Sequence, residues 1–184
     1  MANQYKMGLK GLFSIYPKIN LLKSAAIPFL IDTVLIIIVV KFKTDIYNLL
    51  VFIVGIITSV IPNVLGFILT GYAVIISVTE TKYLKIMVKR IQGKKITLYQ
   101  TVNSTFAFVL LSLCITLILG IIINIVVNAK LVVIDLFANC FCRINIMCLF
   151  VLIFLLLYSL FAILDVIVNI FNFGQFINEI EENT

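Results

Sequence analysis

Two acidic residues interrupt otherwise apolar runs: Asp32 within 24–42 and Asp165 within 145–173. A carboxylate inside hydrocarbon costs roughly 2.5–3.5 kcal/mol on insertion scales, so each is a functional candidate by position alone. Three readings fit such a group: a neutral Asp bridging two helices, a site for a proton, cation or lipid headgroup, or exposure to a wetted vestibule. No Lys or Arg lies among 24–40 or 145–173 to pair with them. Hydrogen bonding then falls to neighbours, Thr33 for Asp32 and Asn169, one turn on, for Asp165. Both acids lie about 10–12 Å inside the same leaflet if each residue rises 1.5 Å. Two helices could therefore present them to one cavity.

The chemistry that is missing narrows the field. The chain has no His, which removes the commonest acid–base group and metal ligand. Cys114 and Cys148 sit in apolar runs and read as small core residues. Cys140 and Cys142 form a C-x-C in a short loop, which is half a metal site with no second pair. No glycine-rich phosphate loop occurs. The two Asp residues could form a carboxylate dyad in principle, but nothing supplies the rest of such a site. We therefore expect no catalytic residue, no metal and no cofactor. Asn63, Asn124, Asn128 and Asn169 read as hydrogen-bonding glue between helices.

The elements that must position these residues follow from composition. The chain has 184 residues, 63% hydrophobic and 12% charged, with a mean hydropathy of +1.24. Soluble domains are about 45–50% apolar and about 25% charged. A water-soluble enzyme and an isolated nucleic-acid-binding domain are excluded. Apolar runs over 24–42, 46–78, 105–128 and 145–173 each approach or exceed the roughly 20 residues of a span. They do not alternate as barrel strands do. The fold class is all-α: an integral membrane four-helix protein forming one transmembrane domain over 1–184. The first run is too long for a cleaved signal and reads as an anchor that stays.

Charge placement gives the topology. Lys6, Lys10, Lys18 and Lys23 precede the first run, with no acid among them. The segment 79–100 carries Lys82, Lys85, Lys89, Arg90, Lys94 and Lys95 against Glu80. The positive-inside rule puts both segments in the cytoplasm. An even number of spans must separate them, so 46–78 is one long helix, kinked at Pro62 rather than broken there. Both termini are then cytoplasmic. Gly55, Ser59, Asn63, Gly66 and Thr70 recur at helical spacing, continued by Ala73 and Ser77. Small residues on one face let another backbone approach. That face is either an intramolecular packing surface or a seam between subunits. The inner basic segment either attracts anionic lipid or docks an acidic cytosolic partner. Direct nucleic-acid binding is not expected, since topology already explains these charges.

The layout resembles the small four-span membrane subunit of the Kiwa antiphage defence system. The resemblance rests on chain size, the basic N-terminal segment, and a long second span with Ile-Pro-Asn-Val-Leu-Gly-Phe at 61–67 and Gly-Tyr-Ala at 71–73. It implies a sensor of membrane disturbance in a bacterial inner membrane that assembles as a homo-oligomer, a tetramer, and holds a cytosolic DNA-binding effector. Two other classes stay open at this point: an oligomeric pore, channel or small transporter, and a bacteriocin-immunity type protein.

Overall fold

The computed structural model describes residues 8–16, 18–42, 45–78, 87–88, 97–128 and 138–182. Five helices lie among them: α1 (Gly8–Ile15), α2 (Lys18–Lys41), α3 (Ile46–Val78), α4 (Leu98–Asn128) and α5 (Ala138–Glu182). Four of these, α2 to α5, contain stretches long and apolar enough to cross a membrane. The architecture is that of a multi-pass membrane protein.

Polar side chains fix two of the helix starts. A helix leaves its first backbone N–H groups without partners, and hydrocarbon supplies none. Ahead of α3, the Asp45 carboxylate accepts from the backbone N–H of Tyr47 and of Asn48, at 3.1 and 3.2 Å. Ahead of α4, Thr97 and Gln100 form a reciprocal capping box. The Gln100 N–H donates to the Thr97 hydroxyl, and the Thr97 N–H donates to the Gln100 side-chain oxygen, both at 3.1 Å. This box starts α4 at Leu98, ahead of the span start at 105 expected from hydropathy.

α3, α4 and α5 pack pairwise around one core. Leu50, Val54, Ile57 and Ile61 of α3 meet Phe106, Val109 and Leu113 of α4 and Leu149, Leu152 and Val166 of α5. Lipid tails are as apolar as these side chains, so close packing and hydrogen bonds hold the helices together rather than water exclusion. Gly120 supplies the tightest approach. A Cβ built there would lie 2.5 Å from the Ile57 Cγ2 methyl. Three cross-helix bonds add to this: Thr116 with Ser159 at 2.9 Å, Tyr72 to Asn103, and Tyr47 to the Val127 carbonyl at 3.4 Å.

α2 lies on α5, and α1 lies on α4. The inward stripe of α2 is Pro28, Asp32, Ile36 and Val39, at helical spacing. Its other faces are open, with Ile27, Leu30, Val34 and Ile37 all exposed to the surrounding medium. An apolar surface of this extent on a soluble monomer would be an interaction or aggregation site; a bilayer covers it. α3 runs unbroken through Pro62. The longest helix, however, is α5, with 45 residues and a length of about 67 Å at 1.5 Å per residue. It extends past both ends of the expected span 145–173. Cys140 and Cys142 therefore fall in its first turns rather than in a loop.

Candidate functional site

Asp32 occupies a core position on α2 and is 0% exposed. Neither of its carboxyl oxygens has a hydrogen-bond partner among the described residues. The neighbour expected to serve it does not: the Thr33 hydroxyl donates to the Phe29 carbonyl at 2.7 Å. The helical spacing that turns Pro28, Ile36 and Val39 inward turns Asp32 inward with them. An unsatisfied buried polar group costs roughly 1–3 kcal/mol, more if charged.

Asp165 has a different environment. The Tyr16 hydroxyl donates to its Oδ2 at 3.4 Å and the Ser24 hydroxyl to the same oxygen at 3.2 Å. The expected bond to Asn169 is replaced by these two, from α2 and the end of α1. Burial, and then the adjacent Asp165 carboxylate, push the Tyr16 phenol well above its ordinary range. Tyr16 therefore stays a neutral donor. The Tyr16 ring stacks on Phe108 with centroids 4.3 Å apart, which pins the end of α1 to α4.

The two acids do not share a site. Asp165 bonds Ser24, and Asp32 lies eight residues further along α2. That separates the carboxyls by about 12 Å along the helix. The expectation of one cavity receiving both is corrected: Asp165 belongs to the α1–α2–α5 junction, and Asp32 to the α2–α5 packing surface deeper in the bundle.

The small-residue stripe faces outward. Gly55, Ser59, Asn63, Gly66 and Thr70 are all exposed, as are Ala73 and Ser77. A Cβ added at Gly55 or Gly66 would meet nothing within 4 Å. Among the described residues nothing covers this face, and the opposite face of α3 packs the bundle. The glycine used for close approach within the bundle is Gly120, which hydropathy alone did not single out. The polar groups on the stripe bond their own helix. Ser59 donates to the Gly55 carbonyl at 2.8 Å, Asn63 to the Ser59 carbonyl at 2.9 Å, and Thr70 to the Gly66 carbonyl at 2.9 Å. Asn128 likewise bonds Asn124 within α4. Within one copy these three Asn residues bond their own helices, and Thr116 with Ser159 and Tyr72 with Asn103 bond across helices.

Lys82, Lys85, Lys89, Arg90, Lys94 and Lys95 lie outside the described residues. The side chains of Cys140 and Cys142 do so too. Cys114 and Cys148 are half-buried free thiols. Among the described residues no three His, Cys, Asp or Glu side chains converge as a metal site would require. No protein-family model, curated protein or solved structure matches the chain.

Proposed function

We propose that the chain is a membrane sensor and scaffold subunit of a bacterial antiphage defence complex, of the Kiwa kind its layout resembles. The observation that carries the scaffold part is the outward face of α3. Its small residues stay unpartnered within the bundle, while Gly120 shows how closely two of these helices can pack when a glycine permits it. Copies of the chain meet along that face, and Pro62 bends α3 to fit the seam. Asn63 stands near the middle of α3 on the same face. A polar side chain at that depth is favoured against another protein helix over lipid. The chain sits in the inner membrane with both termini in the cytoplasm, by the placement of its Lys and Arg. The basic segment 79–100 and the N-terminal segment then face a cytosolic acidic surface on the DNA-binding effector, and disturbance of the bilayer alters the assembly that holds it.

The experiment is recovery of the tagged full chain from its native cell after gentle solubilisation. A stoichiometric soluble partner is expected. Charge reversal at Lys89, Arg90, Lys94 and Lys95 should release that partner and leave membrane insertion intact. Unchanged recovery of the partner contradicts the docking claim. Ion leak from liposomes holding the pure protein, altered by Asp32→Asn, contradicts the scaffold reading in favour of a pore.

A further inference from the structure

A cavity of about 270 Å³ opens between α1, α2, α4 and α5. Its walls include Phe13, Ala25, Phe108, Ile115, Phe154 and Tyr158. Ser112 also lines it, but its hydroxyl donates to the Val109 carbonyl at 2.8 Å. Apolar cavities of this kind do not hold water. The rim is open: Phe13 is 47% and Ile115 43% exposed. In a bilayer the opening looks onto acyl chains.

The Asp165 carboxylate does not itself line this cavity, but residues bonded to it adjoin the wall. Ala25 in the wall follows Ser24, whose hydroxyl reaches Asp165. Phe108 in the wall stacks on Tyr16, whose hydroxyl reaches the same carboxylate. Tyr158 in the wall precedes Asp165 by seven residues on α5, which is the same helix face and about 10 Å away. Both hydroxyls bond Oδ2; Oδ1 receives no donor among the described residues. Both donors are neutral, so the carboxylate has no counter-ion among the described residues. Asp165 is also only half-buried. The Tyr158 hydroxyl is buried without a hydrogen-bond partner among the described residues. It leaves a polar atom in the wall that an ester oxygen can satisfy.

The two ends ask for different chemistry in one molecule. The apolar walls fit a hydrocarbon chain. A carboxylate with a free oxygen at the edge of a low-dielectric crevice fits a cation that donates hydrogen bonds. We infer that this crevice binds a glycerophospholipid with a primary-ammonium headgroup. One acyl chain fills the cavity, and the ammonium donates to Oδ1 of Asp165. A primary ammonium has three N–H donors, a trimethylated one has none, and an anionic headgroup is repelled. The inference concerns α1, α2, α4 and α5 and stands apart from any self-association through α3.

The chain has no Trp, so Ile115→Trp places a single fluorescent reporter at the rim. The full-length variant is reconstituted in phosphatidylcholine vesicles with brominated-chain phosphatidylethanolamine, phosphatidylglycerol or phosphatidylcholine at equal mole fraction. Brominated phosphatidylethanolamine should quench several-fold more effectively than the other two. Asp165→Asn should reduce it to the phosphatidylcholine level. Equal quenching by all three headgroups overturns the inference, as does an ethanolamine preference that survives Asp165→Asn in a folded variant. Stepwise N-methylation of the headgroup tests the same point with Asp165 intact. Quenching should fall with each methyl, and a flat response across that series overturns the inference whether or not the Asn variant folds.

Discussion

Asp32 fills a place on α2 that an aliphatic residue would fill at lower cost. Its two oxygens are buried without partners among the described residues, and such groups recur where function outweighs stability. Replacing an unsatisfied polar group by an apolar one of similar shape removes its desolvation penalty. Asp32→Leu should therefore stabilise the protein by about 1–3 kcal/mol, read as a raised midpoint of thermal unfolding in detergent, while abolishing any response that depends on the acid. A lowered midpoint would show that Asp32 has a partner in the folded protein. Tyr16 gives a pH prediction. Its folded-state pKa is raised by burial and by Asp165. The contact is then fully present below the unfolded value of about 10 and is lost as pH rises through the higher folded value. The phenolate absorbance missing from Tyr16→Phe should accordingly appear later in an alkaline titration than that of an exposed tyrosine; coincident titration counts against the contact. At this scale the acids were legible, because a charge inside an apolar run stands out. Their environments were not. Tyr16 and Ser24 are 149 and 141 residues from Asp165 in the chain, and nothing in their types marks them as its partners.

The helices place two kinds of glycine in one protein, and they should respond in opposite ways. Gly120 meets the β-branched Ile57 side chain of α3, which cannot swing aside. Gly120→Ala should cost about 1–3 kcal/mol through overpacking, measured by unfolding in detergent. Gly66 meets nothing within 4 Å, so Gly66→Ala should leave the folded monomer unchanged or gain up to about 1 kcal/mol of helix propensity. Equal losses at the two positions would contradict the assignment of faces on α3. The start of α3 was readable in sequence because Lys41, Lys43 and Asp45 precede a long apolar run. The start of α4 was missed, although Thr97-x-x-Gln100 is a helix-start pattern, because the polar residues after it looked like loop when judged by hydropathy. The ends of α5 were missed for the same reason: a helix that continues beyond the bilayer no longer needs apolar residues on every face.

On the scale of the whole molecule, α3, α4 and α5 form a packed bundle, α2 leans on α5, and α1 caps the side where α2 begins. The count of spans was legible from hydropathy and charge placement, since hydrocarbon thickness sets the length of each run. Which helix faces which was not, because Ile, Leu, Val and Phe serve equally well against protein and against lipid. The stripe on α3 is the exception. Its residue types mark it as a surface for close approach, and the bundle leaves it free. A scaffold role requires self-association through that face. The most direct test is the mass of the purified full-length protein in lipid nanodiscs, compared with Gly55→Leu and Gly66→Leu, with helix content checked by circular dichroism. A closed homo-oligomer is expected for the unmodified chain and a monomer of unchanged helicity for the variants. A monomeric unmodified chain, or an oligomer untouched by both substitutions, would contradict that role.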